Sequence, residues 1–271
     1  ESACGKTTLG LSIIRMTQSG NIRSGKILFQ NKSLLDMPES EFDKSIRWKK
    51  ISMVFQGAMN SLDPVFTIEQ QFNEILKQHK FKNASNKTIL DAIHSVNLEQ
   101  SILKKYPHEL SGGMKQRIVI AMALLLKPKF VIADEPTTAL DVLTQAQIIN
   151  LLKSLKKKGM SLMLISHDLA ILSEVAEKIG IIYGGKMIEF GTSSEIFRNP
   201  KHPYTQGLLD SIPTLRKEKK LKFIPGRPPD LVSPKPGCRF FDRCPEAMDK
   251  CKTEPPKIKT DTGFVSCWLY E

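Results

Sequence analysis

The first residues of the chain whose types and order suggest a chemical function are Gly5, Lys6 and Thr7. They match the end of a phosphate-binding loop, G-x-x-x-x-G-K-[ST], whose first glycine would stand one residue before Glu1. In such a loop backbone N–H groups wrap a β-phosphate, the lysine neutralises β- and γ-oxygens, and the hydroxyl holds Mg²⁺. A bare Gly-Lys-Thr is a weak signal, so the rest of the sequence must support it. The residues expected to bind the nucleotide are Ser2, Ala3, Cys4, Gly5, Lys6, Thr7 and Thr8. Cys4 is included as part of the loop, and its thiol has no expected role.

Two adjacent acids, Asp134 and Glu135, follow a continuous apolar run that begins at Phe130. Such a run is typical of a parallel strand covered on both faces, and ligands of parallel sheets bind at the carboxyl ends of the strands. Adjacent strand residues point to opposite sides. We therefore expect Asp134 to reach a Mg²⁺ ion and Glu135 to polarise a water that attacks a γ-phosphate. The alternative is that both acids cap a turn before Pro136.

A third segment, Leu110-Ser111-Gly112-Gly113-Met114-Lys115-Gln116-Arg117, resembles the signature sequence of the ABC ATPases. A serine followed by two glycines is also an ordinary helix N-cap, and both roles can hold at once. The resemblance implies that Ser111, Gly112 and Gly113 contact the γ-phosphate of an ATP held by a partner subunit, because a helix N-terminus attracts anions.

Three further residues resemble motifs of that family. Gln56, at the end of ISMVFQ, resembles the Q-loop glutamine that touches Mg²⁺ and the attacking water. His167 resembles the switch histidine that contacts the γ-phosphate, although an isolated histidine at a strand end is more often structural. Asp141 resembles the D-loop aspartate at the dimer interface. The resemblance thus implies ATP hydrolysis, with catalytic residues Glu135, His167 and Gln56 and Mg²⁺ ligands Thr7, Gln56 and Asp134.

The resemblance also implies a part that this sequence lacks. ABC ATPases have two or three strands and an adenine-stacking aromatic residue before the phosphate loop, and neither precedes Gly5 here. We expect the sequence to be a fragment whose full-length form is active, and the fragment itself to bind nucleotide poorly. Its first residues, ESACGKTT, show no signal-peptide pattern.

Other segments resemble one branch of the family, the ATPases of oligopeptide and dipeptide importers. They are FQGAMNSLDPVFT from Phe55, NPKHPYT from Asn199, Ile224–Pro229, and the Gly-Cys-Arg-Phe and Arg-Cys-Pro segments near the end. This resemblance implies a peripheral subunit on the cytoplasmic face of the membrane. Its partners would be a homologous ABC ATPase, in a hetero- or homodimer, two membrane-spanning permease subunits and, indirectly, a solute-binding protein. The alternative is the same role in a nickel or other small-solute importer.

Four of the five cysteines cluster near the end of the chain, in the pattern Cys238-x₅-Cys244-x₆-Cys251-x₁₅-Cys267. Clustering favours a metal site in a reducing compartment over a secreted disulfide framework. Four thiolates can hold Zn²⁺ or a [4Fe–4S] cluster, and the spacing matches neither zinc ribbons nor ferredoxins. The family resemblance favours [4Fe–4S] over Zn²⁺, with disulfides or free thiols as the remaining alternative. We expect the metal to tie a small module together.

Composition leaves the partner class open. The 271 residues carry 40 Lys and Arg against 28 Asp and Glu, a net charge of +12, which suits nucleic acid, an anionic membrane or an ordinary solvated surface. A soluble ABC ATPase acting on nucleic acid is a rival interpretation. It would show coiled-coil inserts or basic-aromatic stretches, and because neither occurs we expect no nucleic-acid partner. No run approaches the roughly 20 apolar residues of a membrane-spanning helix.

The elements that must position these residues follow from the hydrophobic pattern. We predict a helix over Gly5–Met16 with Leu9 on its apolar side, a hairpin around GKILFQ, and three helices between Thr67 and Lys105 broken at Asn83–Asn86 and Asn97. Alternating strands and helices from Met114 to Tyr183 predict a parallel sheet. The fold class is α/β, a P-loop NTPase of the ABC ATPase type with a parallel core sheet, a helical subdomain and a small cysteine-containing extension. The expected domains are 1–202 for nucleotide binding, with the helical subdomain at about 57–127, and 203–271 for the extension.

Overall fold

The computed structural model describes residues 4–17, 20–81, 85–211 and 223–271. Contacts divide the chain into two compact units, a first unit of Thr7–Ser166 and a second unit of His167–Glu271 together with the residues up to Lys6. Ser2 and Ala3 of the expected phosphate loop, and Asn83 of the expected helix break, lie outside the described residues. Within the described ranges, no helix combines the length and the apolar character needed to cross a membrane.

The first unit carries the predicted sheet and the predicted helical insert. The segment Gln100–Lys104, predicted as the third helix of the insert, is a 3₁₀ helix, as suits so short a segment. The helices and strands of the first unit are α1 (Lys6–Ile13, of which Lys6 belongs to the second unit), β1 (Leu28–Phe29), β2 (Lys32–Ser33), α2 (Glu39–Ser45), β3 (Ile51–Val54), α3 (Ile68–Gln78), α4 (Asn86–Ser95), α5 (Gly112–Leu124), β4 (Phe130–Asp134), α6 (Val142–Lys157) and β5 (Ser161–Ile165).

β4 is the central strand of the parallel sheet, with β3 on one side and β5 on the other. Its side chains alternate between two hydrophobic clusters. Val131 packs with the cluster of α3 to α6, and Ile132 packs on the opposite face with Ile14 and Phe42. The continuous apolar run therefore reflects a strand that is buried on both faces, as predicted.

α1 packs closely on that sheet through a glycine. A Cβ atom on Gly10 would lie 3.2 Å from Ile165 Cδ1, 3.2 Å from Met53 Cε and 3.4 Å from Ile132 Cγ2, one side chain from each strand. Leu9, which was predicted on the apolar side, is instead 36% exposed, because the helix approaches the sheet through its smaller neighbour.

α1 also ends earlier than predicted. Arg15 adopts a left-handed conformation (φ 56°), and the N–H of Met16 donates to the carbonyl oxygen of Leu11 at 2.9 Å. This is a Schellman-type helix end, which stops the helix at Ile13 rather than at Met16.

The second unit has an antiparallel sheet in the order β6-β7-β9-β8. The alternation of elements predicted that Ile179–Tyr183 would extend the parallel sheet, and this was wrong. Gly184 and Gly185 both have positive φ (55° and 79°), the backbone of a tight hairpin turn, so β6 returns antiparallel into β7. Helices and strands here are α7 (Leu169–Val175), β6 (Lys178–Tyr183), β7 (Lys186–Thr192), α8 (Ser193–Arg198), α9 (Pro203–Asp210), β8 (Lys257–Lys259) and β9 (Phe264–Ser266).

An aromatic cluster holds the end of the chain on this sheet. The rings of Tyr183, Tyr204 and Phe240 contact one another at centroid distances of 4.5 to 5.4 Å. The buried Arg243 donates to the Tyr183 hydroxyl at 3.0 Å and to the carbonyl oxygen of Pro225 at 2.7 Å. The proline-rich tail is thus an integral part of the second unit.

Candidate functional site

Asp134 is the last residue of β4, and its side chain is fully buried. Residues i and i+2 of a strand share a face, so Asp134 lies on the same face as Ile132. That is the face on which α1 packs through Gly10. A carboxylate at the end of the central strand therefore lies on the side of the sheet covered by the helix that carries Thr7 and Thr8 in its first turn.

Glu135 lies just beyond β4 in a left-handed conformation, with φ 48°. Its N–H donates to the carbonyl oxygen of Ile165 at 2.9 Å, and the Thr138 hydroxyl donates to Oε2 at 3.3 Å. The strand alternation used in the sequence analysis therefore does not set the direction of this side chain; a turn does. Positive φ at a residue other than glycine persists only where its surroundings hold it, and such residues cluster at functional sites.

Gln56 leaves the sheet at the same edge. Val54 pairs with Ala133 in the parallel ladder, so the carboxyl ends of β3 and β4 are adjacent. The chain then turns at Gly57 (φ 68°) into a 3₁₀ helix, Ala58–Ser61, and the Gln56 side chain is exposed. The structure thus brings Gln56 and the two acids to one edge of the first unit.

Ser111 is the N-cap of α5, and its hydroxyl accepts a hydrogen bond from the N–H of Met114 at 3.3 Å. The ordinary capping role is therefore present, and the contact with a partner's phosphate remains a prediction. A Cβ on Gly112 would lie 3.7 Å from Leu140 and Met59, which is ordinary contact distance. Ser111 and Gly112 are exposed, so the N-terminus of this helix is accessible.

Gly113 has a packing role that the sequence analysis missed. A Cβ on Gly113 would lie 2.5 Å from Thr144 Cγ2. Asp141 holds that threonine as the N-cap of α6, accepting from its N–H at 2.9 Å and from its hydroxyl at 2.6 Å, and these hydrogen bonds lower the pKa of Asp141. The residues predicted as signature and D-loop are therefore packed against each other.

The phosphate-loop residues that the structure describes in the second unit contact its hairpin turn. The N–H of Gly185 donates to the carbonyl oxygen of Cys4 at 3.1 Å, and Gly5 has φ 99°. Lys6 Nζ donates to Cys4 Sγ at 3.4 Å. Lys6 and His167 belong to this unit, so their approach to Asp134 and Glu135 remains a prediction.

The four clustered cysteines line one cavity of the second unit. None forms a disulfide. Burial raises the pKa of the Cys244 thiol to about 11 and also raises the pKa of Cys238 and Cys267, and neighbouring cysteines add to each increase. Across the described ranges, no three His, Cys, Asp or Glu side chains are spaced to hold a metal ion. The thiols are therefore neighbours without being assembled as a metal centre.

Backbone N–H groups oppose the effect of burial on these thiols. The N–H groups of Phe240, Glu246 and Leu269 hydrogen-bond the sulfurs of the cysteines two residues earlier, and each acts to lower the thiol pKa. Donors placed on sulfur favour the thiolate, which is the form that binds metals.

His202 is a second residue that the sequence analysis did not assign, and it lines the same cavity. Its side chain is 1% exposed, and its Nδ1 accepts from the N–H of Tyr204 at 3.0 Å. Burial lowers the pKa of His202 to about 4. The buried carboxylate of Glu189 accepts from the N–H groups of Lys201 (2.6 Å) and His202 (3.1 Å) and so fixes the backbone here. The signal in the sequence was a histidine directly before proline at a helix start.

Comparison with known proteins identifies relatives of the whole chain. A family model described as "ABC transporter" matches residues 1–138, and one described as "Oligopeptide/dipeptide transporter, C-terminal region" matches residues 188–251. The chain is 45% identical to the dipeptide transport ATP-binding protein DppD of Caldanaerobacter subterraneus subsp. tengcongensis, a match that covers 100% of this chain and 86% of that protein. It is also 45% identical to DppD of Bacillus subtilis (strain 168), with 100% and 84% covered.

A solved structure resembles the fold. The ATP-binding cassette MJ0796, a dimer in a post-hydrolysis state bound to ADP and Pi, is 28% identical with a TM-score of 0.61. The match covers 71% of this chain and 82% of that chain.

Proposed function

Since this chain belongs to the ABC transporter family of ATP-hydrolysing subunits, we propose that it powers the import of oligopeptides or dipeptides across the cytoplasmic membrane. The match of residues 188–251 to the C-terminal region of oligopeptide/dipeptide transporters supports the peptide branch. The observation that carries the catalytic assignment is the acid pair at the carboxyl end of β4, on a sheet whose one face is covered by α1. In this role the chain acts as a peripheral subunit on the cytoplasmic face.

Each predicted site residue would contribute one part of the reaction. Mg²⁺, held by Thr7, Gln56 and Asp134, would neutralise charge on the β- and γ-phosphates. Glu135 would accept the proton of the attacking water. Lys6 would bind the β- and γ-oxygens of ATP, and His167 would contact the γ-phosphate.

A homologous partner ATPase would complete the site. The exposed N-terminus of α5 carries Ser111 and Gly112 where a partner's triphosphate can approach a helix dipole. Next to Asp141, Val142 and Leu143 are 80% and 77% exposed, an apolar pair that a second subunit would cover. The dimeric structure of the MJ0796 cassette supports this arrangement.

The membrane-spanning permease subunits would dock near Gln56 and the helical insert. Val65 and Phe66, just before α3, are 71% and 44% exposed and offer an apolar contact for them. Permease contacts at this position would couple closure of the ATP site to reorientation of the permease subunits. A solute-binding protein would choose the peptide and would not touch this chain.

The four-cysteine cavity would hold a [4Fe–4S] cluster, or alternatively Zn²⁺. The support is the donor set: four thiols line one cavity, and backbone N–H groups are directed at three of the sulfurs. Binding would release the thiol protons and tie the tail to the sheet, a structural role. Iron, sulfide and zinc analysis of anaerobically prepared protein, with its visible spectrum, tests the metal and its identity.

Replacing Glu135 by Gln in the assembled transporter tests the catalytic assignment. We expect ATP hydrolysis to fall by roughly 10²–10⁴-fold, because the general base is lost, while ATP-dependent association of the two ATPase subunits persists. Glu41→Gln, at an exposed position of α2, is the matched control and should hydrolyse ATP normally. Wild-type turnover by Glu135→Gln would remove Glu135 from the mechanism.

A further inference from the structure

A cavity of about 360 Å³ lies in the first unit, where the end of α4 meets α5 and α6. Its described lining includes none of the residues predicted to bind ATP. Its volume falls within the range of roughly 300–1,000 Å³ that is typical of small-molecule sites. The buried residues Val96 and Leu151 supply its apolar wall, and its other lining residues are polar or charged. The cavity is therefore large enough for a small ligand and offers it both apolar and polar contacts.

Arg117 of α5 gives this cavity a positive charge. One of its N–H groups donates to the amide oxygen of Gln147 on α6, which leaves the amide nitrogen of Gln147 as a donor. Among the described residues, no carboxylate lies within ion-pair distance of this half-buried guanidinium. A guanidinium has five N–H donors in a planar fork, so the remaining N–H groups can bind both oxygens of a carboxylate.

Asn97 and Asn150 add two side-chain amides to the lining. Neither side chain forms a hydrogen bond with another described residue. An amide group donates through its nitrogen and accepts through its oxygen, as a peptide group does. The amides can therefore pair with the C=O and N–H groups of a peptide bond, whereas an inorganic anion would use mainly their donors.

The carboxyl end of α4 supplies a region of opposite polarity. Asn97 adopts a left-handed conformation (φ 57°), and the N–H of Leu98 donates to the carbonyl oxygen of Ile93 at 3.2 Å, a Schellman-type helix end. The carboxyl end of a helix carries a partial negative charge, which favours cations. Val96 and Asn97 place this helix end at the cavity. The cavity thus favours an anion beside Arg117 and a cation beside α4.

We propose that this cavity binds a short zwitterionic peptide. Its terminal carboxylate would lie on Arg117, its ammonium group near the end of α4, and its peptide groups against the side-chain amides. A single amino acid carries the same two charges but has no peptide bond for the amides to pair with. The inference concerns a ligand site beside the helices of the insert and does not depend on the proposed import function.

Isothermal titration calorimetry of the full chain with tri-alanine tests this binding. We expect saturable binding, weakened roughly 10- to 100-fold for tri-alanine amide, because the carboxylate on Arg117 is lost. N-acetyl-tri-alanine, which lacks the ammonium group, should bind roughly 2- to 5-fold more weakly. Alanine and sodium phosphate are the comparison ligands, and binding of either as tight as that of tri-alanine would overturn the assignment to a peptide.

Two variants locate the site. Arg117→Gln should lower the affinity for tri-alanine roughly 10- to 100-fold, whereas Arg198→Gln, at an exposed position of α8, should leave it unchanged. Asn150→Asp keeps the size of an exposed side chain and adds a carboxylate that competes for Arg117, so it should also weaken binding. Far-UV circular dichroism verifies that each variant is folded.

Equal tri-alanine affinity in the wild type, Arg117→Gln and Asn150→Asp would overturn the proposal. A wild-type chain that does not bind tri-alanine would also overturn it. Neither result bears on the import function, which is measured separately as ATP-dependent peptide uptake by vesicles that carry the assembled transporter.

Discussion

Replacing Gly113 by Ala should destabilise the first unit through one steric contact. The new Cβ would lie 2.5 Å from Thr144 Cγ2, closer than real Cβ contacts occur. Thr144 cannot easily move away. Its side chain is β-branched and stiff at χ1, and Asp141 accepts hydrogen bonds from both its hydroxyl (2.6 Å) and its N–H (2.9 Å).

The magnitude follows from comparison with the neighbouring glycine. Alanine in place of glycine gains up to about 1 kcal/mol of helix propensity, and overpacking costs about 1–3 kcal/mol. Gly112→Ala meets its nearest atoms at 3.7 Å and should leave the free energy of unfolding equal or higher. Gly113→Ala should lower it by up to about 2 kcal/mol and should lie about 1–3 kcal/mol below Gly112→Ala. Both variants gain helix propensity from the change of glycine to alanine. The difference between their free energies of unfolding therefore measures the steric cost at position 113.

Urea unfolding followed by far-UV circular dichroism measures this difference. Thr144→Ser removes Cγ2 and keeps the hydroxyl, so the double variant Gly113→Ala with Thr144→Ser should recover most of the loss. Equal unfolding midpoints for Gly112→Ala and Gly113→Ala, or a double variant no more stable than Gly113→Ala, would refute the steric explanation.

Two further predictions concern buried and half-buried side chains. Glu189→Gln should lower the free energy of unfolding by about 1–3 kcal/mol, because the amide oxygen can accept only one of the two backbone N–H groups and the amide nitrogen cannot accept the other. The exposed Glu41→Gln is the control in thermal unfolding, and equal losses would contradict the prediction. Burial, and then the charge of Lys49, lower the pKa of His79 below 6.5, so the unfolded chain binds a proton that the folded chain does not. The free energy of unfolding should therefore fall as the pH drops below about 6.5, and it should fall less steeply in His79→Gln. The exposed His94→Gln is the reference. An unchanged pH dependence in His79→Gln would refute the prediction.

Local sequence signals predicted the elements that carry the acids. The run from Phe130 to Ala133 is apolar because β4 is covered on both faces, and this property is visible in one segment alone. Ser111 caps α5 as its residue type predicts. The comparisons confirm the resemblance to the oligopeptide and dipeptide branch of the ABC transporter family and the predicted ABC ATPase fold.

The features that the sequence analysis missed depend on turns and on distant contacts. The Gly184-Gly185 pair is a hairpin signal, but the strand and helix alternation before it favoured another parallel strand. The left-handed conformation of Glu135 has no residue-type signal, because glutamate rarely adopts it. The role of Gly113 depends on Thr144, a contact between helices that periodicity does not encode.

Tertiary packing of the tail explains why its cysteine spacing matches no familiar metal motif. Backbone hydrogen bonding from the residue two positions later acts to lower the pKa of Cys238, Cys244 and Cys267, so each of these cysteines has its own local backbone unit. Such units need not follow one another at fixed intervals, because the antiparallel sheet and the aromatic cluster bring them together. The fixed spacing of a C-x₂-C pair arises when a single turn must supply two ligands. Here Cys238 and Cys244 pack against the aromatic cluster, the N–H of Cys238 donates to the carbonyl oxygen of Cys251 at 2.9 Å, and Cys267 directly follows β9. These tertiary contacts allow cysteines at intervals of 5, 6 and 15 residues to line a single cavity.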